Sequence, residues 1–169
     1  GQAVKIGNRE LRVDIAFGGA FYAIVDVEAV GVPLEVKRLP DLRRIATDHG
    51  VEVKDDYGPG KLVLEIYEKT TEAELWGPVF VTDYPKEVSP LARDHRELPD
   101  MVERFEAIVA GRELCNAFSE LIDPDEQRAR FEAQARLKAA GDDGAMVVDE
   151  DYLRALQYGM PPTAGLGIG

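Results

Sequence analysis

Met101-Val-Glu-Arg-Phe-Glu-Ala-Ile-Val109, Ala110-Gly111, Arg112-Glu-Leu-Cys-Asn-Ala-Phe-Ser-Glu-Leu121 is the stretch on which the fold turns. Two runs suited to strands flank an Ala-Gly pair that suits a tight turn, which predicts two antiparallel strands. Side chains alternate along a strand, so Asn116, Phe118 and Glu120 share one face. A carboxylate, an amide and an aromatic ring on one face suit a small ligand that carries an ammonium group. The carboxylate pairs the charge, the amide fixes orientation and the ring walls the methylene stem. Glu106 and Glu113 lie on the preceding segments. Two carboxylates converging across a hairpin suit magnesium, which takes oxygen ligands and usually shares them with phosphate. Glu113 and Asn116 differ in parity, so the strand must bulge if all these groups face one pocket. The plainer alternative is an amphipathic hairpin with a solvated acidic face.

Downstream, Asp123-Pro124-Asp125-Glu126 marks a helix start, with Asp as N-cap, Pro at the first position and Glu at the third. This helix is expected to reach about Ala140 and stop at Gly141, with Phe131, Ala135 and Ala139 as its stripe. Asp142-Asp143-Gly144 reads as a loop. Asp149 opens a second helix with Leu153 and Leu156 inward and Gly159 as its stop. The last residues, Gly165-Leu-Gly-Ile-Gly169, suggest a phosphate loop but lack GxGxxG spacing, a following helix and a P-loop lysine. A flexible end is the alternative.

Upstream, Val79 to Thr82 reads as a short strand closed by Asp83-Tyr84-Pro85. Lys61 to Thr70 fits both strand and helix templates, and helix is preferred. Asp55 to Gly60 is a turn, and Asp41 to His49 a short helix with Gly50 at its C′ position. The opening residues alternate as strands: Gly1 to Ile6, Leu11 to Phe17 and Phe21 to Val27. Gly7-Asn8 is a hairpin signal, Gly18-Gly19 a bulge or tight turn, and Gly31-Val32-Pro33 a break. His95, in Arg93-Asp94-His95-Arg96, is read as part of a solvated loop.

Composition bounds the function. With 169 residues and 45% apolar content, the chain can bury one core or two small ones. A charged fraction of 31% argues for a soluble globular chain. No run approaches the ~18 apolar residues of a membrane helix, and no secretory signal is expected. The single cysteine, Cys115, excludes an internal disulfide and a cysteine zinc cluster. It stands beside Asn116, but an inert buried thiol is the better reading than a nucleophile. A net charge of −12 disfavours a module that grips nucleic acid by bulk charge, though not an enzyme with RNA as one substrate.

From about residue 42 to 169 the sequence resembles the C-terminal part of the catalytic domain of class II lysyl-tRNA synthetases. The matching stretches are His49-Gly-Val-Glu-Val53, Trp76, Phe80-Val-Thr-Asp-Tyr-Pro-Lys-Glu-Val-Ser-Pro-Leu-Ala92, Glu103-Arg-Phe-Glu106, Gly111 to Pro124, Arg130-Phe-Glu-Ala-Gln134, and Asp149-Glu-Asp151 through Tyr158-Gly-Met-Pro-Pro-Thr163. The resemblance implies an α+β fold, an antiparallel sheet with flanking helices that is part of a class II synthetase core. The implied activity is ATP- and magnesium-dependent activation of lysine, then charging of tRNA, in the cytoplasm. It implies Glu106 and Glu113 at the ATP phosphates and magnesium, with Gly165 and Gly167 in the ATP site. Asn116, Phe118 and Glu120 are the implied lysine contacts, Glu120 answering the side-chain ammonium. Cys115 stands where a small Ala or Gly is expected. Gly165 to Gly169 resembles the opening of motif 3, which should continue with an acidic residue and an arginine. Motif 2 has no match, so an incomplete active site with little pyrophosphate exchange is expected.

The first residues carry a second resemblance. Val13-Asp-Ile-Ala-Phe-Gly-Gly-Ala-Phe-Tyr-Ala-Ile-Val-Asp26, continuing through Gly31-Val-Pro-Leu34, is similar to a strand-rich segment of the proline racemase and hydroxyproline epimerase family. That family uses a cysteine pair as acid and base, and neither cysteine motif is present here. Together the two resemblances describe a chimera: a β-rich segment over residues 1–41 and a partial synthetase domain over 42–169, with a seam between Glu35 and Ile45. The other functional readings are a racemase-like fragment without its thiols and a non-enzymatic scaffold. Self-association is expected, through unpaired sheet edges or as a synthetase-like dimer.

Overall fold

A computed structural model of the chain describes residues 2–6, 9–17, 21–25, 39–139 and 146–169. Strands β1 (Gln2–Ile6), β2 (Arg9–Phe17) and β3 (Phe21–Val25) form an antiparallel sheet in that order. Val4 pairs with Leu11, and Ile15 with Ala23. The alternating pattern therefore does produce strands. The expected turns at Gly7-Asn8 and Gly18-Gly19, the break at Gly31 to Pro33, and the Asp142 to Gly144 loop lie outside the described residues.

Helix α1 (Leu39–Asp48) starts two positions before the expected Asp41 and buries Leu42 and Ala46. Gly50 takes φ +74°, and the Val51 N–H returns to the Ala46 carbonyl at 2.9 Å. This closes the helix with a left-handed glycine. The ambiguous segment is helix α2 (Pro59–Thr70), with Pro59 in the first turn. Proline has no N–H to leave unpaired there, and its fixed φ suits a helix start. Leu62 of α2 joins Leu42, Ala46 and Val51 in one apolar cluster. Two residues on, Leu64 packs against a second cluster of Tyr84, Ala92 and Val102. Helix α2 is thus the layer between α1 and the larger sheet.

A distant carboxylate caps α2. Gly58 and Gly60 donate their N–H groups to Glu87, at 3.0 and 2.9 Å. An added Cβ at Gly60 would meet the Pro85 Cβ at 2.8 Å, so only glycine lets the helix start come this close. The negative charge also suits the positive end of the helix dipole. Glu87→Gln is expected to cost about 1 kcal/mol, or a melting temperature lower by ~2–4 °C. A thermal melt that superimposes on wild type would show that the carboxylate does not hold the helix.

The larger sheet is antiparallel in the order β4 (Val79–Pro85), β5 (Met101–Val109), β6 (Arg112–Ser119) and β7 (Ala164–Ile168). Strand β4 does not close at Asp83. That residue takes φ +62° and forms a bulge, after which Tyr84 pairs with Val102 and Pro85 with Met101. The turn between β5 and β6 has positive φ at both Ala110 and Gly111, the geometry that matches strand twist in a two-residue hairpin. The N–H groups of both turn residues bond to the carbonyls of Trp76 and Leu75.

Helix α3 (Pro124–Ala139) begins as read: Asp123 Oδ1 accepts from the N–H groups of Asp125 and Glu126. Its buried stripe differs from the expected one. Gln127, Arg130 and Phe131 are buried, whereas Ala139 is exposed, so only the first half of the helix packs on the domain. Two of those three side chains are polar, and a search for apolar spacing passes over them. Helix α4 (Glu150–Gln157) is capped by Asp149, which accepts from the Tyr152 N–H at 2.9 Å. Its Leu153 and Leu156 are buried. Phe131 and Tyr152 meet edge to face at 5.9 Å, joining α3 to α4.

The glycine-rich end is neither a loop nor a free tail. It pairs with β6 as β7, and its other edge meets no strand among the described residues. His95 is also more than a solvated loop residue: its Nδ1 accepts from the N–H groups of Glu97 and Leu98 and so organises that turn.

Candidate functional site

Antiparallel partners point to the same side of a sheet, so the register fixes which side chains can meet. Glu106 pairs with Asn116 and Arg104 with Phe118. On the far side of β6, Asn116 pairs with Gly167 and Phe118 with Gly165. All six residues therefore share one face. Glu113 would fall on the other face of a regular strand. The register shifts between Ala107, which pairs with Cys115, and Ile108, which pairs with Glu113, leaving Leu114 as the extra residue. This bulge carries Glu113 to the side of Glu106 and Asn116. Cys115, half-buried, belongs to the opposite face.

Arg104 is the hub of the face. Its Nε–H donates to Asn116 Oδ1 at 2.9 Å, and a terminal nitrogen donates to Ser89 Oγ at 2.9 Å. The other terminal nitrogen is paired with Glu106. The guanidinium lies 4.4 Å from the centre of the Tyr84 ring, a cation–π contact. Burial and the Glu106 carboxylate push the Tyr84 hydroxyl well above the usual tyrosine range. Since Asn116 accepts from Arg104 through its oxygen, its NH₂ group remains to donate.

Beyond the hub is a cavity of about 510 Å³ lined by Glu68, Glu72, Ala73, Arg104, Glu106, Gly111 and Glu113. Glu72 comes from a 3-10 turn (Glu72–Glu74) after α2. Burial, then the charges of Glu106 and Glu113, raise its carboxyl above the ordinary value. Burial and Glu65 do the same to Glu68, against the opposing pull of Lys61. Glu68 and Glu72, whose proton affinity neighbouring carboxylates raise, mark a region of negative potential, which suits a cation. Among the described residues no group of three or more carboxylates, histidines or cysteines is gathered tightly enough to enclose a metal ion. Glu106 and Glu113 alone fit the magnesium habit of taking one or two carboxylates and completing its shell with water and phosphate.

Glu120 lies one residue beyond β6. Its N–H donates to the Thr163 carbonyl at 2.9 Å, and it bridges to Ala92. Burial raises its carboxyl. The structure thus brings Glu106, Glu113, Asn116, Phe118, Gly165 and Gly167 to one face, with Glu120 at its end. No local pattern marks Glu68 and Glu72, which reach the cavity from α2 and from the 3-10 turn that follows it. Arg104 was visible in Glu103-Arg-Phe-Glu106, but its contacts were not. Among the described residues no helix is long and apolar enough to cross a membrane.

The sequence pattern described as class II tRNA synthetases (D, K and N) matches residues 6–169. The chain is 45% identical to a lysine–tRNA ligase of Porphyromonas gingivalis strain ATCC 33277, over 98% of this chain and 29% of that protein. It is 50% identical to one of Christiangramia forsetii over 85% of this chain and 25% of that protein. A third, from Aromatoleum aromaticum, is 56% identical over 76% of this chain and 26% of that protein. The chain spans less than a third of the length of these relatives. The family match runs through Val13 to Asp26 and across the expected seam. The racemase resemblance therefore finds no support: alternating strand runs separated by glycines are a sequence pattern that antiparallel hairpins of many families share.

Proposed function

The chain belongs to the class II tRNA synthetases of the D, K and N group, and we propose that it is the part of a lysine–tRNA ligase that holds the lysine side chain and one flank of the ATP phosphates. The observation that carries this reading is the bulge at Leu114, which sets Glu113 beside Glu106 on the face that also bears Asn116 and Phe118. On this reading the ligand's ammonium meets Glu120, its methylene stem lies along Phe118, and the Asn116 NH₂ group donates to a ligand oxygen. Glu106 and Glu113 would hold magnesium, which would supply positive charge against the phosphates. The lysine carboxylate attacks the α-phosphate and pyrophosphate leaves. Arg104 holds Glu106 and Asn116 in place for this step. Transfer of the lysyl group to tRNA belongs to the whole protein, as does any dimer.

The test is a titration of the isotopically labelled chain, followed by NMR. Lysine with ATP and magnesium is expected to shift the amides of Asn116, Phe118 and Glu120 saturably. Norleucine has the same stem without the ammonium and is expected to bind at least about tenfold more weakly. Equal responses to lysine and norleucine would rule the reading out.

A further inference from the structure

Gly165 and Gly167 stand on the same face of β7, but they face different neighbours. A Cβ built on Gly167 meets only the Asn116 carbonyl oxygen, at 3.9 Å, an ordinary contact. A Cβ built on Gly165 falls on the Glu120 Oε1 atom, closer than any carbon and oxygen can approach without a bond. The backbone at residue 165 is not left-handed, so glycine is not needed there for conformation. What it leaves is volume: the Glu120 carboxylate lies across the strand where a side chain would be, and a Cβ there would push that flexible group aside.

That carboxylate has no hydrogen bond or ion pair among the described residues. It is half-buried, at the end of the face next to Phe118, whose β7 partner is Gly165. A partly desolvated carboxylate without a partner calls for a cation, and the ring beside it suits an alkyl stem rather than a bare metal ion. We infer that Gly165 is a specificity-determining residue: by having no side chain it gives Glu120 the position from which its carboxylate meets a ligand's alkylammonium group. The inference rests on the lysine-binding reading for its ligand, and it moves Gly165 from the ATP site to the amino-acid side-chain subsite.

The experiment uses the full chain with ¹³C-labelled glutamate carboxyls, the Glu120 signal being assigned by its loss in Glu120→Gln. In wild type Glu120 is expected to titrate above the exposed glutamates. In Gly165→Ala it is expected to return to the ordinary glutamate range, and in Gly167→Ala to stay as in wild type. Lysine affinity is expected to fall at least about tenfold in Gly165→Ala. Glu120→Asp in the same chain withdraws the carboxylate by one methylene and is expected to remove the overlap. That double variant should melt at the wild-type temperature even if Gly165→Ala does not. An unchanged Glu120 titration in Gly165→Ala overturns the inference, even if the wild type binds lysine. Failure of the lysine reading shows separately, as a wild-type Glu120 signal that responds alike to lysine and norleucine, and it overturns the assigned ligand class.

Discussion

Replacing Arg104 with alanine is expected to lower the free energy of unfolding by about 3 kcal/mol, the effect of removing one partner of a mostly buried ion pair. Its side chain is 18% exposed and that of Glu106 12% exposed, so the pair is mostly shielded from solvent. The loss has several parts. Glu106 keeps its charge without a counterion, beside Glu72 in the same carboxylate-lined cavity. Asn116 Oδ1 and Ser89 Oγ each lose a donor, and Tyr84 loses the cation over its ring. Arg104→Lys keeps the charge but not the planar fork, so it should recover only part of the stability. Arg104→Met combined with Glu106→Gln leaves no ion unpaired and is expected to be more stable than Arg104→Ala. Urea unfolding of the three variants measures this. An alanine variant with the wild-type midpoint would mean that Arg104 lies on the surface of the fold rather than at its hub.

The same residue shows where the sequence stopped being legible. The hairpin was readable because its signals are local: strand-forming runs, an Ala-Gly turn, and alternation. Local parity set the condition for the bulge, since Glu113 and Asn116 cannot share a face of a regular strand, but not that the two residues do share one. The N-caps Asp123 and Asp149 were readable for the same reason, as a cap bonds to a residue only two or three positions on. Glu87 caps α2 from 27 and 29 residues away, and no short-range pattern encodes that. Glu72 reaches the cavity because the 110–111 turn bonds back to residues 75 and 76, again a matter of tertiary packing. The racemase resemblance failed at the opposite limit. It rested on about 40 residues whose composition strand alternation and glycine turns already dictate. The synthetase resemblance rested on polar residues that no strand or helix requires, and it held.

Arg130→Met is expected to cost about 2–3 kcal/mol at neutral pH, because a buried carbonyl and two carboxylates lose a shared donor. Arg130 donates to the Ala92 carbonyl at 2.7 Å and to Glu126 at 3.0 Å, and it pairs with Asp94. Lys86 holds the same two carboxylates, at 2.9 Å from Asp94 and 2.8 Å from Glu126. The network fastens α3 to the loop before β5, where the helix lacks an apolar stripe to do so. Hydrogen bonds from Lys86 and Arg130 hold the Glu126 carboxyl below its ordinary value. A carboxyl whose proton affinity is lowered by folding adds stability above its unfolded pKa of ~4.3, and that stability disappears as pH falls through the folded value. The wild type should therefore lose stability in acid from about pH 5 downward. Arg130→Met leaves Glu126 with Lys86 alone, so part of that acid dependence should vanish with the arginine. The gap between wild type and variant is then widest near pH 7 and narrower near pH 3.5, in urea unfolding at the two values. A gap of constant size would assign Arg130 to the fold through its bond to the Ala92 carbonyl, with no share in the titration of Glu126.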